Sequence, residues 1–291
     1  MKQAGHRLDV VDSAVLVARH SLFRATVQER VPTLRSSVQH GPRVPVFHLH
    51  MNWNAWRRHF DQNAQRPLPD ITPPVLPESH RLALAASLAK FQLGESGEGR
   101  IAHDIDSAQL HGIDDDYRAS LKRFVAEEGR HARVLGLMVN ALGGRSLARQ
   151  WTERLFVRGR RALGVRFKLL VLLAAEVIGI SFYGVLAKVL PACGLRDALE
   201  QLCADEEHHL AFHAEFFGAQ RPDWLASRLL WLAWWPLALT AGLVVFLDHR
   251  RTLRVFGVSS STLFRPMWSR IVRAGRFGQS SLPVLAVNEV G

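Results

Sequence analysis

Glu176 is the residue that most constrains how this chain can fold. It stands alone in "LLVLLAAEVIGISF", with apolar residues on every side of the helix that this stretch would form. A buried carboxylate without compensation costs several kcal/mol, so a proton, an arginine or a metal must accompany it. The segment "CADEEHHLAFHAEFF" (203–217) raises the same question from another direction. It sets one Asp, three Glu and three His among alanines, leucines and phenylalanines.

The surrounding periodicity is helical, and no strand alternation competes with it. Five prolines between Pro67 and Pro77 predict an extended connector. Ser79 is placed to cap a helix through "RLALAASLAKFQLGESGEGRIAHDIDSAQLHG". After the "GIDDD" turn a second helix, "YRASLKRFVAEEGRHARVLGLMVNALGG", closes on Gly143 and Gly144. Residues 145–165 form a basic amphipathic connector. A third helix, "RFKLLVLLAAEVIGISFYGVLAKVLPACG", and a fourth, "LRDALEQLCADEEHHLAFHAEFFGAQ", follow. The expectation is an all-α protein with a helical core over 78–220. Residues 1–77 form a basic, Pro-rich extension with no sustained period, and 221–291 hold an apolar helix (229–247) and a basic tail.

Two Glu-x-x-His pairs, Glu128 with His131 and Glu206 with His209, lie in the second and fourth helices. Residues i and i+3 share a helix face one turn apart, so a carboxylate and an imidazole can reach one metal. Thirteen Glu and fourteen His give roughly 0.6 such pairs by chance. Their placement adds to the count. Glu95 precedes Glu128 by 33 residues and Glu176 precedes Glu206 by 30, with turns near both midpoints. Antiparallel helices therefore bring each lone Glu level with a pair. Four inward carboxylates are neutralised by two divalent cations, with one imidazole for each. Glu98, three residues beyond Glu95, shares nearly its face; Glu95 is preferred on context, and either fits.

This arrangement resembles the ferritin-like superfamily of di-iron carboxylate proteins, which includes rubrerythrins, bacterioferritins and bacterial multicomponent monooxygenases. There, one Glu from each of two helices and Glu-x-x-His from the other two point inward. The resemblance covers residues 79–218. It implies a four-helix bundle of two antiparallel hairpins with a long crossover, holding two iron ions. It also implies Glu95 and Glu176 as terminal ligands, Glu128 and Glu206 as bridging ligands, and His131 and His209 as nitrogen ligands. "EEGRH" (127–131) looks like the acid-Glu-x-Arg-His form of monooxygenase hydroxylases, and "DEEHH" (205–209) matches it except for His208 in place of Arg. Glu127 and Asp205 then take the role of orienting an imidazole's distal N–H. Manganese fits the same ligands.

Other residues are read more plainly. His213 lies inward as a rim or supporting histidine, Tyr183 as a core tyrosine, and Glu207, His208 and Glu215 on solvated faces. His48 and His50, in "FHLH", lack partner carboxylates. Cys193 and Cys203 are expected as free thiols; without a C-x-x-C pair, neither a disulfide framework nor a rubredoxin-type iron site is supported.

The function expected is an oxidase or oxygenase that uses O2 or peroxide on an organic, lipophilic substrate, served by an electron-donor reductase. The alternative is iron handling or peroxide detoxification in the manner of ferritin or rubrerythrin. The net charge of +11 admits a nucleic-acid partner, but no stacking motif or recognition helix supports one. A homodimer is compatible with such a bundle. No h-region opens the chain, so a cytoplasmic location is expected, in contact with the inner membrane face. The 19 uncharged residues 229–247 could span a bilayer or cover the apolar third helix.

Overall fold

The computed structural model describes residues 52–96, 99–148, 164–220 and 223–276. Among these residues there are eight helices and no strands. They are α1 (Trp53–Ala64), α2 (Glu78–Glu95), α3 (Gly99–Asp106), α4 (Asp115–Ala141), α5 (Gly164–Val189), α6 (Gly194–Ala219), α7 (Trp224–Val255) and α8 (Ser260–Ala274).

Helix α4 starts where Asp114 accepts from the Tyr117 amide, with Asp115 and Asp116 favouring the positive end of the helix dipole. It ends in a Schellman turn. Gly143 takes φ +70°, and the Gly144 amide returns 2.8 Å to the Val139 carbonyl. A Cβ on Gly144 would meet Ala85 at 2.7 Å, so the glycine also lets α2 approach. The first predicted helix is not continuous. "GESGEG" puts three glycines in six residues, and α2 stops at Glu95 with Ser96 as its C-cap. Ser79 lies inside α2, whose N-cap is Pro77.

The helices pair as hairpins. Arg81 donates to the Leu142 carbonyl at 2.7 Å, and Gln92 lies beside Gly136, so α2 and α4 run antiparallel. Cys203 reaches the Ile180 carbonyl and the four-residue link from Leu190 to Cys193 reverses the chain, so α5 and α6 do likewise. Across the hairpins, Tyr117 stacks on Phe216 and Phe124 meets His213, which makes α4 antiparallel to α6. Phe91 against Phe182 and Tyr183 joins α2 to α5. The connection from α4 to α5 passes through residues 149–163, outside the described residues.

Two further layers close the bundle. Helix α1 lies on α4 through Trp53, Trp56 and Phe60, all buried. Their i, i+3, i+7 spacing is a short helical stripe within a segment that shows no sustained period. Residues 67–77 then run extended, and the Thr72 carbonyl accepts from the Leu195 amide at 3.0 Å. On the opposite side α7 and α8 cover α5, the helix whose apolar surface required it. The segment expected as a basic tail is in part helix α8, which buries Leu263, Met267 and Ile271. An amphipathic stripe long enough to bury against α5 outweighed its high Arg content.

Helix α7 is fastened to α2 by polar bonds in an apolar setting. Thr252 donates to the Ala83 carbonyl at 2.8 Å, and His249 Nδ1 lies 2.8 Å from Ser87 Oγ. Burial, aided by the Lys90 ammonium, lowers the His249 pKa from 6.5 to about 3. A folded pKa below the unfolded one means that protonation favours unfolding. The contribution of His249 is whole above pH 6.5 and is lost as pH falls toward about 3. Urea midpoints measured from about pH 7 to about pH 4 should therefore fall more steeply for wild type than for His249→Gln.

Candidate metal centre

Helices α4 and α6 bring their Glu-x-x-His faces together in the centre of the bundle. Glu128, His131, Glu206 and His209 are each at least nine-tenths buried, and one donor atom from each lies within 4.8 Å of all the others. His131 Nδ1 is 3.0 Å from Glu206 Oε1, and His209 Nδ1 is 2.7 Å from Glu128 Oε1 and 2.9 Å from Glu206 Oε2. The two buried carboxylates need compensation, which protonated imidazoles or a cation between the four groups would supply.

The two lone glutamates arrive from α2 and α5. Glu176 is buried, with Oε2 3.9 Å from His209 Nδ1 and Oε1 4.0 Å from His213 Nε2. Glu95 ends α2 partly exposed, with its carboxyl turned inward to accept from Tyr183 Oη at 3.0 Å. Of the six residues singled out in the sequence, Glu128, His131, Glu206 and His209 form the cluster, and Glu176 and Glu95 stand at its edge, while Glu98, His48 and His50 lie outside the described residues. Tyr183 is a core tyrosine with its hydroxyl satisfied, and the partner is Glu95. His213 is fully buried with neither ring nitrogen hydrogen-bonded, so a seventh polar donor faces the cluster beside Glu176.

The acids that precede the pairs cross between helices. Glu127 of α4 reaches His209 Nε2 at 3.3 Å, and Asp205 of α6 lies 3.4 Å from His131 Nε2. Each imidazole thus turns one nitrogen to the central carboxylates and the other to an acid on the opposite helix, and for His209 the bond to Glu127 fixes the orientation of the ring. Arg66 joins the two acids, 2.7 Å from Asp205 and 3.3 Å from Glu127. Sequence reasoning missed Arg66, an isolated arginine in a Pro-rich stretch with no local signal. It also placed Glu207, His208 and Glu215 on solvated faces. Instead Glu207 pairs with Arg270 at 3.1 Å, His208 lies against His59 with ring centres 4.4 Å apart, and Glu215 accepts from Trp56 Nε1 at 2.9 Å. Helices α1 and α8 cover faces that a four-helix reading leaves open.

The electrostatics are those of a site that must balance its own charge. Burial, reinforced by Glu128, raises the Glu95 pKa well above the usual range. Burial and Glu206 do the same to Glu176. Burial opposes the charging of His131, yet the surrounding carboxylates, Glu206 foremost, raise it to about 10. His209 is raised likewise, against burial, by Glu128 and Glu206. Burial also opposes ionisation of Glu206, but His209 holds it well below the ordinary carboxylate range. Without a metal, protons on Glu95, Glu176 and both imidazoles supply the compensation that divalent cations would supply otherwise.

The donor set fits a pair of metal ions. Glu128 Oε1, Glu206 Oε1 and both nitrogens of His131 are buried yet lack any bond of hydrogen-bond geometry, although oppositely charged atoms crowd around them. Ligand atoms poised around a shared centre have this character; hydrogen-bonded ion pairs do not. A buried Glu/His cluster of di-iron type in an all-helical protein is the class that fold and site define. No family model matches the chain, and comparison with curated proteins and with solved structures likewise gives no match.

A carboxylate buried in an apolar helix is a burden on the metal-free fold. Glu176→Leu should stabilise the metal-free protein by about 1–2 kcal/mol in urea denaturation, because it removes a buried ionisable group from a helix apolar all round. A loss of stability of that size would show instead that Glu176 is a structural partner in the core.

Proposed function

We propose that this chain is a ferritin-like di-iron carboxylate oxidase or oxygenase. The observation that carries the reading is the convergence of two Glu-x-x-His faces and two lone glutamates, with each imidazole oriented by an acid from the opposite helix. In this reading α2 with α4 and α5 with α6 are the two hairpins, joined by the long crossover. Glu95, Glu128, Glu176 and Glu206 would hold the metal through carboxylate oxygens, and His131 and His209 would supply the nitrogens. Iron suits this mixed carboxylate and imidazole set, and manganese fits the same ligands.

A bound di-iron pair would supply the redox chemistry that activates O2 or peroxide. The chain's own residues do the rest. Glu127 and Asp205 hold the imidazoles by their distal nitrogens, and Arg66 holds both acids in place. Phe60, Phe124 and Phe212 pack around His209 and His213, keeping that side of the centre dry. Tyr183 fixes the Glu95 carboxyl. The apolar character of α5 and the exposed apolar face of α7 favour a lipophilic organic substrate, with electrons from a separate reductase and a cytoplasmic site at the membrane face.

Metal analysis after anaerobic ferrous loading tests the reading. About two irons per chain are expected, as the charge of four carboxylates requires, with most of the metal lost in His209→Ala and Glu206→Ala. Oxygen consumption with lipophilic substrates then follows in wild type only. A folded wild type that takes up no iron would overturn the proposal. Iron far above two per chain in a large hollow particle would favour the ferritin-like storage reading instead.

A further inference from the structure

We infer that the outer face of α7 is a docking surface for an anionic lipid bilayer, on which the protein lies without crossing it. This inference stands independently of any metal at the centre.

Helix α7 has two unlike faces. The inner one buries Leu230, Trp234, Ala238, Ala241 and Leu253 against the bundle, and Trp234 Nε1 donates to the Ile271 carbonyl at 3.0 Å. The outer one carries Leu225, Leu229, Leu232, Leu239, Leu243 and Leu247, each 48–58% exposed. They follow one another at three-, four- and seven-residue steps, so they form one stripe along about 33 Å of helix. Trp224, Trp231 and Trp268 are exposed as well, Trp268 from α8, with its ring 6.1 Å from that of Trp235. A continuous apolar surface of this length is unusual on a protein that meets only water.

The charges around the stripe identify what covers it. Between Leu229 and Leu247 there is no charged residue. At the ends, Arg228 on one side and Arg250, Arg251 and Arg254 on the other are exposed. Arg265, Arg273 and Arg276 are exposed on or just beyond α8. A leucine face bordered by tryptophan and arginine, on a chain of net charge +11, is complementary to acyl chains below an anionic headgroup layer.

Two other occupants fit less well. A second copy pairing through the stripe as a coiled coil would need charged residues beside the seam. Those positions hold Trp231, Trp235, Thr240 and Val244, which a two-helix contact would leave wet. A transmembrane α7 would have to break its bonds to Ala83 and Ser87 and the 2.7 Å ion pair between Lys90 and Asp248. It would also expose the buried face of α5.

Flotation of the full-length protein with vesicles tests the inference. Vesicles with about 30% phosphatidylglycerol should carry at least about tenfold more protein than pure phosphatidylcholine, and high salt should reduce the difference. The double variant Leu239→Asp, Leu243→Asp alters exposed positions only and should retain wild-type circular dichroism and melting while losing at least about tenfold in flotation. Absence of flotation by wild type, or full flotation by the double variant, would overturn the inference. Resistance of bound protein to carbonate extraction would overturn it in favour of a span. A vesicle-independent dimer that the double variant converts to monomer would assign the face to a second copy.

Discussion

Everything in the centre of this molecule answers to the cost of burying carboxylates. Glu128, Glu176 and Glu206 lie in a core that is otherwise mainly aliphatic and aromatic, and Glu95 turns its carboxyl in from the edge. Water cannot solvate them there, so cations must, whether as protons on the imidazoles or as metal. That requirement fixes the height at which the two hairpins meet.

The outer elements serve that centre. Helix α1 and the proline connector close the α4 and α6 side, and there Arg66 supplies the positive charge that holds Glu127 and Asp205. Without such a charge the two acids would repel each other, and the imidazoles they orient would lose their fixed ring planes. Helices α7 and α8 close the α5 side, which has no polar face to offer water. His249 packs against the touching rings of Phe91 and Phe182, so the cover is tied to α2 and α5 close to Tyr183 and Glu95. Both closures combine aromatic or aliphatic burial with a few buried polar bonds.

The cover over α5 also shapes the surface. Covering α5 commits one face of α7 to the protein, and the other face remains as apolar as the first. A helix buried on both faces would need another layer of protein. One that meets lipid on its outer face needs only an interface, with arginines at its ends. The candidate centre and the proposed docking face are therefore linked by α5 and α7, two apolar helices packed side by side.

The sequence alone determined the helical class and the approximate bounds of α4, α5 and α6, and it singled out six residues as candidates for the centre. These follow from local periodicity, from Glu-x-x-His spacing, and from equal chain lengths on either side of a turn. The Glu-rich, His-rich pattern of α6 and the lone Glu176 are legible because they contradict the apolar rule around them. Only the tertiary structure decided that Glu127 serves His209 and Asp205 serves His131, that Arg66 binds both acids, and that α1 and α8 are layers of the fold. It also showed that Glu207, His208 and Glu215 have partners, and that the first helix breaks after Glu95. These facts depend on residues up to 159 positions apart meeting in space. No local period carries them, because the hydrophobic pattern says which face is buried and not which distant side chain it will meet.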